Sequence, residues 1–414
     1  MNPRRVVVTG MGVVSPVGND CNAFFDNLLA GRSGIRRLSS SFAARLVSDI
    51  GGAVDYDPAA RFPKTKLPLL DRFSQFALEA AAQAIRDSGI EFTEAVKGRT
   101  GVFVGTGMGG SRTVESAYEE IFLHGKDRLP PYVVVRAMNN AAAGNISIDY
   151  GLRGPSVTYS TACSSSAVSI GEACRAIRHG YADAAIAGGA ESLLTFGTIR
   201  AWEALRTLAV TDAEDPASSC RPFSKDRTGL VLGEGAGMVV LESLEHASAR
   251  GARAYAELLG YGALSDAEHL TRPGLEGQVA TMRQALADAG VAPDEVDYIN
   301  AHGTATLAGD AIETAAIKRV FGAGAAKIPV SSSKSMHGHL MGATGAVEFI
   351  ASVMAIQRGA VPPTANLRVP DPDCDLDYVP HRGREGVVVR TVMSNSFAFG
   401  GSNAVLIARA IGQC

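Results

Sequence analysis

The chain has 414 residues, 46% of them apolar and 20% charged, which excludes an intrinsically disordered protein and a small disulfide-held scaffold. At roughly 100–200 residues per domain, this length implies two domains or two halves sharing one large core. Its 39 basic and 42 acidic residues leave a net charge of −3, so no global field draws it to nucleic acid or to an anionic membrane.

In chain order, the first predicted element is the strand at residues 6–12, entered directly from Arg4 and Arg5. A charged pair running into a short β-branched segment is not a secretory leader. Residues 71–88 follow as an amphipathic helix, with Phe73, Phe76, Ala77, Ala80, Ala81 and Ile85 at helical spacing and Gly89 as its stop. No apolar run reaches the roughly 18 residues of a membrane span. The six cysteines, Cys21, Cys163, Cys174, Cys220, Cys374 and Cys414, form neither CxxC pairs nor a zinc spacing. A cytoplasmic protein with free thiols is expected.

Short strands ending in glycine alternate with alanine-rich helices, the pattern of a layered α/β protein. Four such units occur twice in the same order. Residues 6–12 resemble 256–262, 101–105 resemble 297–303, 156–160 resemble 328–332, and 184–189 resemble 391–394. Either the fold is a duplicated βαβ arrangement with a boundary near residue 255, or glycine-rich strands are alike by chance.

Four segments carry chemistry. Residues 155–171 read as a strand, a small-residue turn and a helix starting near Cys163. There the positive end of a helix lowers a thiol's pKa, and Ala162, Ser164, Ser165 and Ser166 leave room for a substrate; a small buried cysteine is the plain alternative. Residues 300–310 (NAHGTATLAGD) place His302 past a strand end with Thr304 and Thr306 beyond it, and residues 331–348 place Lys334, His337 and His339 between a strand and a helix. Each histidine alone reads as a satisfied loop side chain. Together with Cys163 they form a catalytic constellation at strand carboxyl ends, where ligands of α/β sheets collect. Residues 395–403 (NSFAFGGSN) set two phenylalanines in a flexible loop able to present N–H groups to a thioester oxygen; a plain turn before the last strand is the alternative.

These residues resemble a β-ketoacyl-acyl-carrier-protein synthase of the elongating, synthase II-like type. The resemblance runs along nearly the whole chain: VVVTGMGVVSPVGND at 6–20, TACSSSA at 161–167, AGGAES at 187–192, RPFSKDRTGLVLGEGAGMVVLE at 221–242, then HGTATLAGD, KSMHGH and NSFAFGGSN. It implies a thiolase-like five-layered α-β-α-β-α duplication, with an N-terminal half at 1–255 carrying the cysteine and a C-terminal half at 256–414 carrying the histidines. It implies a decarboxylative Claisen condensation, in which malonyl-acyl carrier protein extends an acyl group held on Cys163 by two carbons.

By the same resemblance, Cys163, His302 and His339 are the triad, while Lys334 and Glu348 orient it. The backbone N–H groups of Cys163 and Phe399 form an oxyanion hole, and Phe399 gates the cysteine. Thr304 and Thr306 hold the phosphopantetheine arm, and Met108 and Phe397 line the acyl path. No catalytic role passes to His337, where relatives often have threonine. No metal or resident cofactor is implied, since phosphopantetheine arrives on the carrier. The partners implied are an acidic acyl carrier protein, for which Arg61, Lys64, Lys66 and Arg206 are docking candidates, and a second subunit. That subunit is a copy of this chain or a chain-length-factor partner.

Thiolases need a second cysteine in the C-terminal loop, and NSFAFGG has none. A non-catalytic partner subunit would lack the nucleophile. A specialised polyketide or aryl-polyene ketosynthase and a binding scaffold remain as alternatives. Leu307 and Ala398 depart from the family's proline and glycine. Ala398 restricts the gating loop, so Ala398→Gly is expected to speed cysteine acylation or broaden the chain-length profile. An unchanged acylation rate and product profile would remove this role.

Overall fold

The computed structural model describes residues 3–412. The first half of the chain supplies strands β1 (Val6–Val14), β2 (Thr100–Gly105), β3 (Ser156–Tyr159), β4 (Ala184–Glu191) and β5 (Gly235–Ser243). The second half supplies β6 (Ala256–Ser265), β7 (Tyr298–Asn300), β8 (Val330–Ser331), β9 (Thr391–Phe397) and β10 (Ser402–Arg409). Six helices matter for the site: α1 (Arg72–Ser88), α2 (Ala141–Tyr150), α3 (Ser165–Arg178), α4 (Leu275–Ala289), α5 (Leu307–Phe321) and α6 (Thr344–Arg358).

All ten strands join in the order β8-β7-β9-β10-β6-β1-β5-β4-β2-β3. Each strand of one half therefore has a counterpart five numbers later in the other, and each helix one three numbers later. The seam between the halves is short, two antiparallel residue pairs joining Val7 to Glu257 and Val8 to Ala256. Helix α3 packs on β2 and β4 and also on β6 and β10, while α6 lies against both β5 and β9. A flat sheet cannot touch one helix from both halves, so the sheet folds back at the seam with α3 and α6 between its leaves. Helices α1 and α2 cover one outer face, α4 and α5 the other, completing the five-layered α-β-α-β-α duplication.

Side-chain alternation along the strands feeds these layers. Val8, Met11 and Val13 of β1 join Ile170 of α3 and Phe349 and Ile350 of α6 in the middle core. Val104, Ile186, Met238 and Val240 instead pack under Phe73, Phe76 and Ala80 of α1. Each large side chain so buried contributes about 1.5–3 kcal/mol. Helix α1 starts where Asp71 accepts the Phe73 N–H and stops where Gly89 turns left-handed at φ +62. No helix of the described residues is long and apolar enough to cross a membrane. Cys21, Cys163, Cys174, Cys220 and Cys374 are unpaired thiols; Cys414 lies outside the described residues.

The paired glycines of the two first strands share one cause. A Cβ at Gly12 would stand 2.1 Å from the Ala80 carbonyl oxygen of α1, and one at Gly262 would stand 2.4 Å from that of Thr281 in α4. Each outer helix lies directly on strand backbone. Gly12→Ala and Gly262→Ala are each expected to cost about 1–3 kcal/mol through forced displacement, read as a lower Tm. Gly98→Ala, with open space around it, should leave Tm unchanged or raise it slightly.

Candidate active site

The Cys163 turn is built by its small neighbours. Ser164 Oγ donates to the Thr161 carbonyl at 2.9 Å, Ser165 Oγ donates to that of Ala162 at 2.6 Å, and the Thr161 N–H donates to Ser165 Oγ at 2.9 Å. These bonds hold Ala162 at φ +50, a conformation that costs a non-glycine residue on the order of 1–3 kcal/mol. Residues 162–164 form a 3-10 turn and the helix starts at Ser165 rather than at the cysteine. Cys163 is 5% exposed, and burial pushes its thiol up to about 11 against the pull of the Phe399 and Cys163 N–H groups and of Lys334. This corrects the expectation of a lowered pKa, because desolvation outweighs the donors. Burial thus favours the thiol over the thiolate at Cys163.

His302 follows β7, and its loop is held by a carboxylate from α5. Glu313 accepts the His302 and Gly303 N–H groups, both at 2.8 Å, and also Asn395 Nδ2 at 3.1 Å. His339 lies between the short helix Lys334–His337 and the 3-10 turn Met341–Ala343 that leads into α6. The ring centroids of His302 and His339 are 5.4 Å apart at 81°, and ligand-type atoms of Cys163, His302 and His339 lie within 4.8 Å of one another. The constellation expected from sequence is assembled.

Hydrogen bonding fixes one tautomer. His339 Nδ1 accepts the Met341 N–H at 3.2 Å and contacts Thr344 Oγ1 at 2.9 Å. Its proton is therefore on Nε2, which is buried without a partner. The ring offers the cavity a donor, not the lone pair a metal would need. His302 Nδ1 is also buried and unpartnered, so nothing fixes its tautomer. Lys334 Nζ donates to the His302 carbonyl at 2.5 Å and to Glu348 at 2.6 Å, with both side chains fully buried. Burial first, and then the Lys334 ammonium, hold both imidazoles well below their ordinary 6.5. Burial pushes the Glu348 carboxyl upward while the ammonium pulls it back.

One cavity of about 860 Å³, its mouth included, reaches Cys163, His302 and His339 past Thr304, Thr306, Phe397 and Phe399. The Thr304 and Thr306 hydroxyls are 3.0 Å apart. Phe399 stacks on Trp202 at 5.8 Å, and Phe397 meets the His302 ring edge-on at 6.2 Å. Lys334 and Glu348 lie behind the imidazoles. Met108 does not line this cavity and is 45% exposed. His337 is a satisfied core side chain, its Nδ1–H donating to the Gly338 carbonyl at 2.7 Å and its Nε2 accepting from Ser333 Oγ at 2.9 Å. Leu307 begins α5 without strain, at a position where proline is merely favoured. Of the docking candidates, Lys66 pairs with Asp149 and Arg61 lies 3.7 Å from Glu79.

Sequence reasoning missed Glu313, Asn395 and Glu191. For the two glutamates the signal was an acid where an apolar residue belongs: Asp310 and Glu313 share the buried face of α5 with Ile317, and Glu191 ends an otherwise apolar strand.

Two family profiles match the chain, "Beta-ketoacyl synthase, N-terminal domain" over residues 3–247 and "Beta-ketoacyl synthase, C-terminal domain" over residues 255–368. The chain is 46% identical to 3-oxoacyl-[acyl-carrier-protein] synthase 2 of Coxiella burnetii over 410 residues, which is 98% of this chain and 99% of the relative. It is 47% identical to nodulation protein E of Rhizobium sp. (strain N33) over 408 residues, 99% of this chain and 100% of that one. Among solved structures, the ishigamide ketosynthase/chain length factor superposes with a TM-score of 0.91 at 38% identity, covering 99% of this chain and 100% of that chain.

The high thiol pKa is testable directly. Alkylation of Cys163 by iodoacetamide, read peptide by peptide, is expected to rise about tenfold per pH unit between pH 7 and 10. A rate already level below pH 8 would show a resident thiolate instead.

Proposed function

The chain belongs to the β-ketoacyl synthase family, whose members join a malonyl unit to an acyl chain, and we propose that Cys163, His302 and His339 perform that condensation here. The observation that carries this is His339 Nε2–H, a buried donor without a partner in a cavity that also holds an unmodified thiol and a second neutral imidazole.

Cys163 Sγ attacks the thioester carbonyl of an acyl carrier protein. Its proton passes to His302, the imidazole whose tautomer is free, and returns to the departing carrier thiol. The tetrahedral oxyanion takes the Cys163 and Phe399 N–H groups that touch the sulfur. Malonyl carrier protein then enters and loses carbon dioxide. The enolate oxygen lies on His339 Nε2–H and on His302, each good donor worth about 3–4 kcal/mol. Its carbon attacks the acyl group, the C–S bond breaks, the chain leaves two carbons longer, and the released Cys163 thiolate takes a proton from water to restore the thiol.

Lys334, paired with Glu348, keeps both imidazoles neutral at rest, so that His339 stays a donor and His302 can switch between acceptor and donor. Thr304 and Thr306 hold the phosphopantetheine arm of the carrier, the one prosthetic group required. Phe397 and Phe399 line its route. With the division placed between residues 255 and 256, one half contributes the nucleophile and the other both imidazoles.

The second subunit is a copy of this chain. Strand β3 is an open edge, pairing only with β2, and Tyr132, Val134, Val135, Met138, Ile148 and Val157 are exposed apolar side chains. A second chain there would cover Met108 and give it the acyl-path contact it lacks in one chain. The similarity to a ketosynthase/chain length factor supports a heterodimer as the second reading.

Intact mass after incubation with acyl carrier proteins tests the assignment. Wild type is expected to gain an acyl adduct and Cys163→Ala none, while malonyl decarboxylation survives in part because both imidazoles remain. Full condensation by Cys163→Ala would reject it.

A further inference from the structure

The duplication extends to the turns of the site. Helix α3 is preceded by the 3-10 turn Ala162–Ser164 and α6 by the 3-10 turn Met341–Ala343. Each turn opens on a left-handed residue other than glycine, Ala162 at φ +50 and Met341 at φ +46. Gly342 therefore stands in the second half where Cys163 stands in the first. Likewise the backbone after β2 presents the N–H groups of Gly107 and Met108, where that after β7 presents those of His302 and Gly303.

A single fully buried side chain closes this second set of donors. Glu191, at the end of β4, accepts from the N–H of Gly107 at 2.6 Å, of Met108 at 3.1 Å and of Gly342 at 3.1 Å, and from Thr106 Oγ1 at 3.2 Å. It has no cationic partner among the described residues. Burial pushes its carboxyl up to about 7 despite four donors, so the fold bears a cost to keep it there. The residue next to Gly342 is Met341, whose N–H fixes the His339 tautomer.

We propose that Glu191 is a positioning residue. Its carboxyl oxygens occupy, as internal acceptors, the donor set of the turn that has no nucleophile. It thereby pins the strained Met341 turn and keeps His339 Nε2–H directed into the cavity. The inference rests on the reading of His339 as the enolate donor. It also ties that donor to the Gly107–Met108 loop at the far side of the carboxylate.

Glu191→Gln keeps the shape but turns an amide toward at least one of these N–H groups. In the purified full-length protein with unchanged circular dichroism, kcat for decarboxylation of malonyl carrier protein is expected to fall about tenfold or more, as for a displaced donor. KM and single-turnover acylation of Cys163 should stay within about twofold. Equal losses in decarboxylation and acylation, or no loss in decarboxylation, would overturn the proposal. Should this variant not fold, Glu191→Asp decides, since the shorter side chain keeps a carboxyl group but withdraws it from at least one of these N–H groups. The same split is expected, and undiminished decarboxylation overturns the idea. His339→Ala run in parallel separates the two readings. If it decarboxylates normally, the assignment of the site fails; if it is inactive while Glu191→Gln is normal, only the present proposal fails.

Discussion

A fully buried ammonium joins the two loops that carry the imidazoles. Lys334 begins the short helix leading to His339 and donates both to the His302 carbonyl and to Glu348 of α6. Its position does two things together. It fixes the spacing between loops that follow β7 and β8, and its charge, added to burial, disfavours the protonated form of either imidazole at rest. Removing one partner of such a pair leaves an uncompensated buried charge, at about 3–5 kcal/mol. The neighbouring carboxylates Glu313 and Glu191 then hold backbone donors in place, so the reactive groups are set by charge and hydrogen bonding from behind while their working atoms stay free.

Strain and satisfaction divide the site in a consistent way. Ala162, Ala305 and Met341 all take left-handed conformations that suit glycine better, and each adjoins a residue whose side chain faces the cavity or holds one that does. Around them the backbone is tied down by serine hydroxyls, by Asp310 on the Ala305 N–H and by Glu191 near Met341. His302 Nδ1 and His339 Nε2 are buried without a partner, as is Glu348 Oε2 behind them. Donors and acceptors left open in a buried cavity carry a desolvation cost that a substrate's oxygen relieves.

The residues bearing chemistry were legible in sequence because their neighbours form local patterns. TACSSSA, HGTATLAGD, KSMHGH and NSFAFGGSN each mark a strand end followed by a tight turn, and the cavity unites the cysteine, both imidazoles, both threonines and both phenylalanines. The repeat was legible through Gly10 and Gly12 against Gly260 and Gly262, since all four meet a helix backbone directly. What sequence could not give was the outcome of competing long-range effects. The helix end and Lys334 favour a thiolate at Cys163, yet burial wins, and only three-dimensional packing shows how complete that burial is. Glu313 and Glu191 likewise acquire their roles from backbone groups far away in the chain, and Met108, expected on the acyl path, is exposed outside the cavity.

The matched turns before α3 and α6 have an evolutionary consequence. A doubled fold offers two equivalent turns, and in this chain one carries the sulfur and the other a glycine. That asymmetry allows the sterile copy to serve the fertile one, since its freed backbone can steady an imidazole instead of meeting substrate. The molecule is thus a duplicated fold whose two halves meet substrate unequally, one turn carrying the sulfur and its counterpart only backbone.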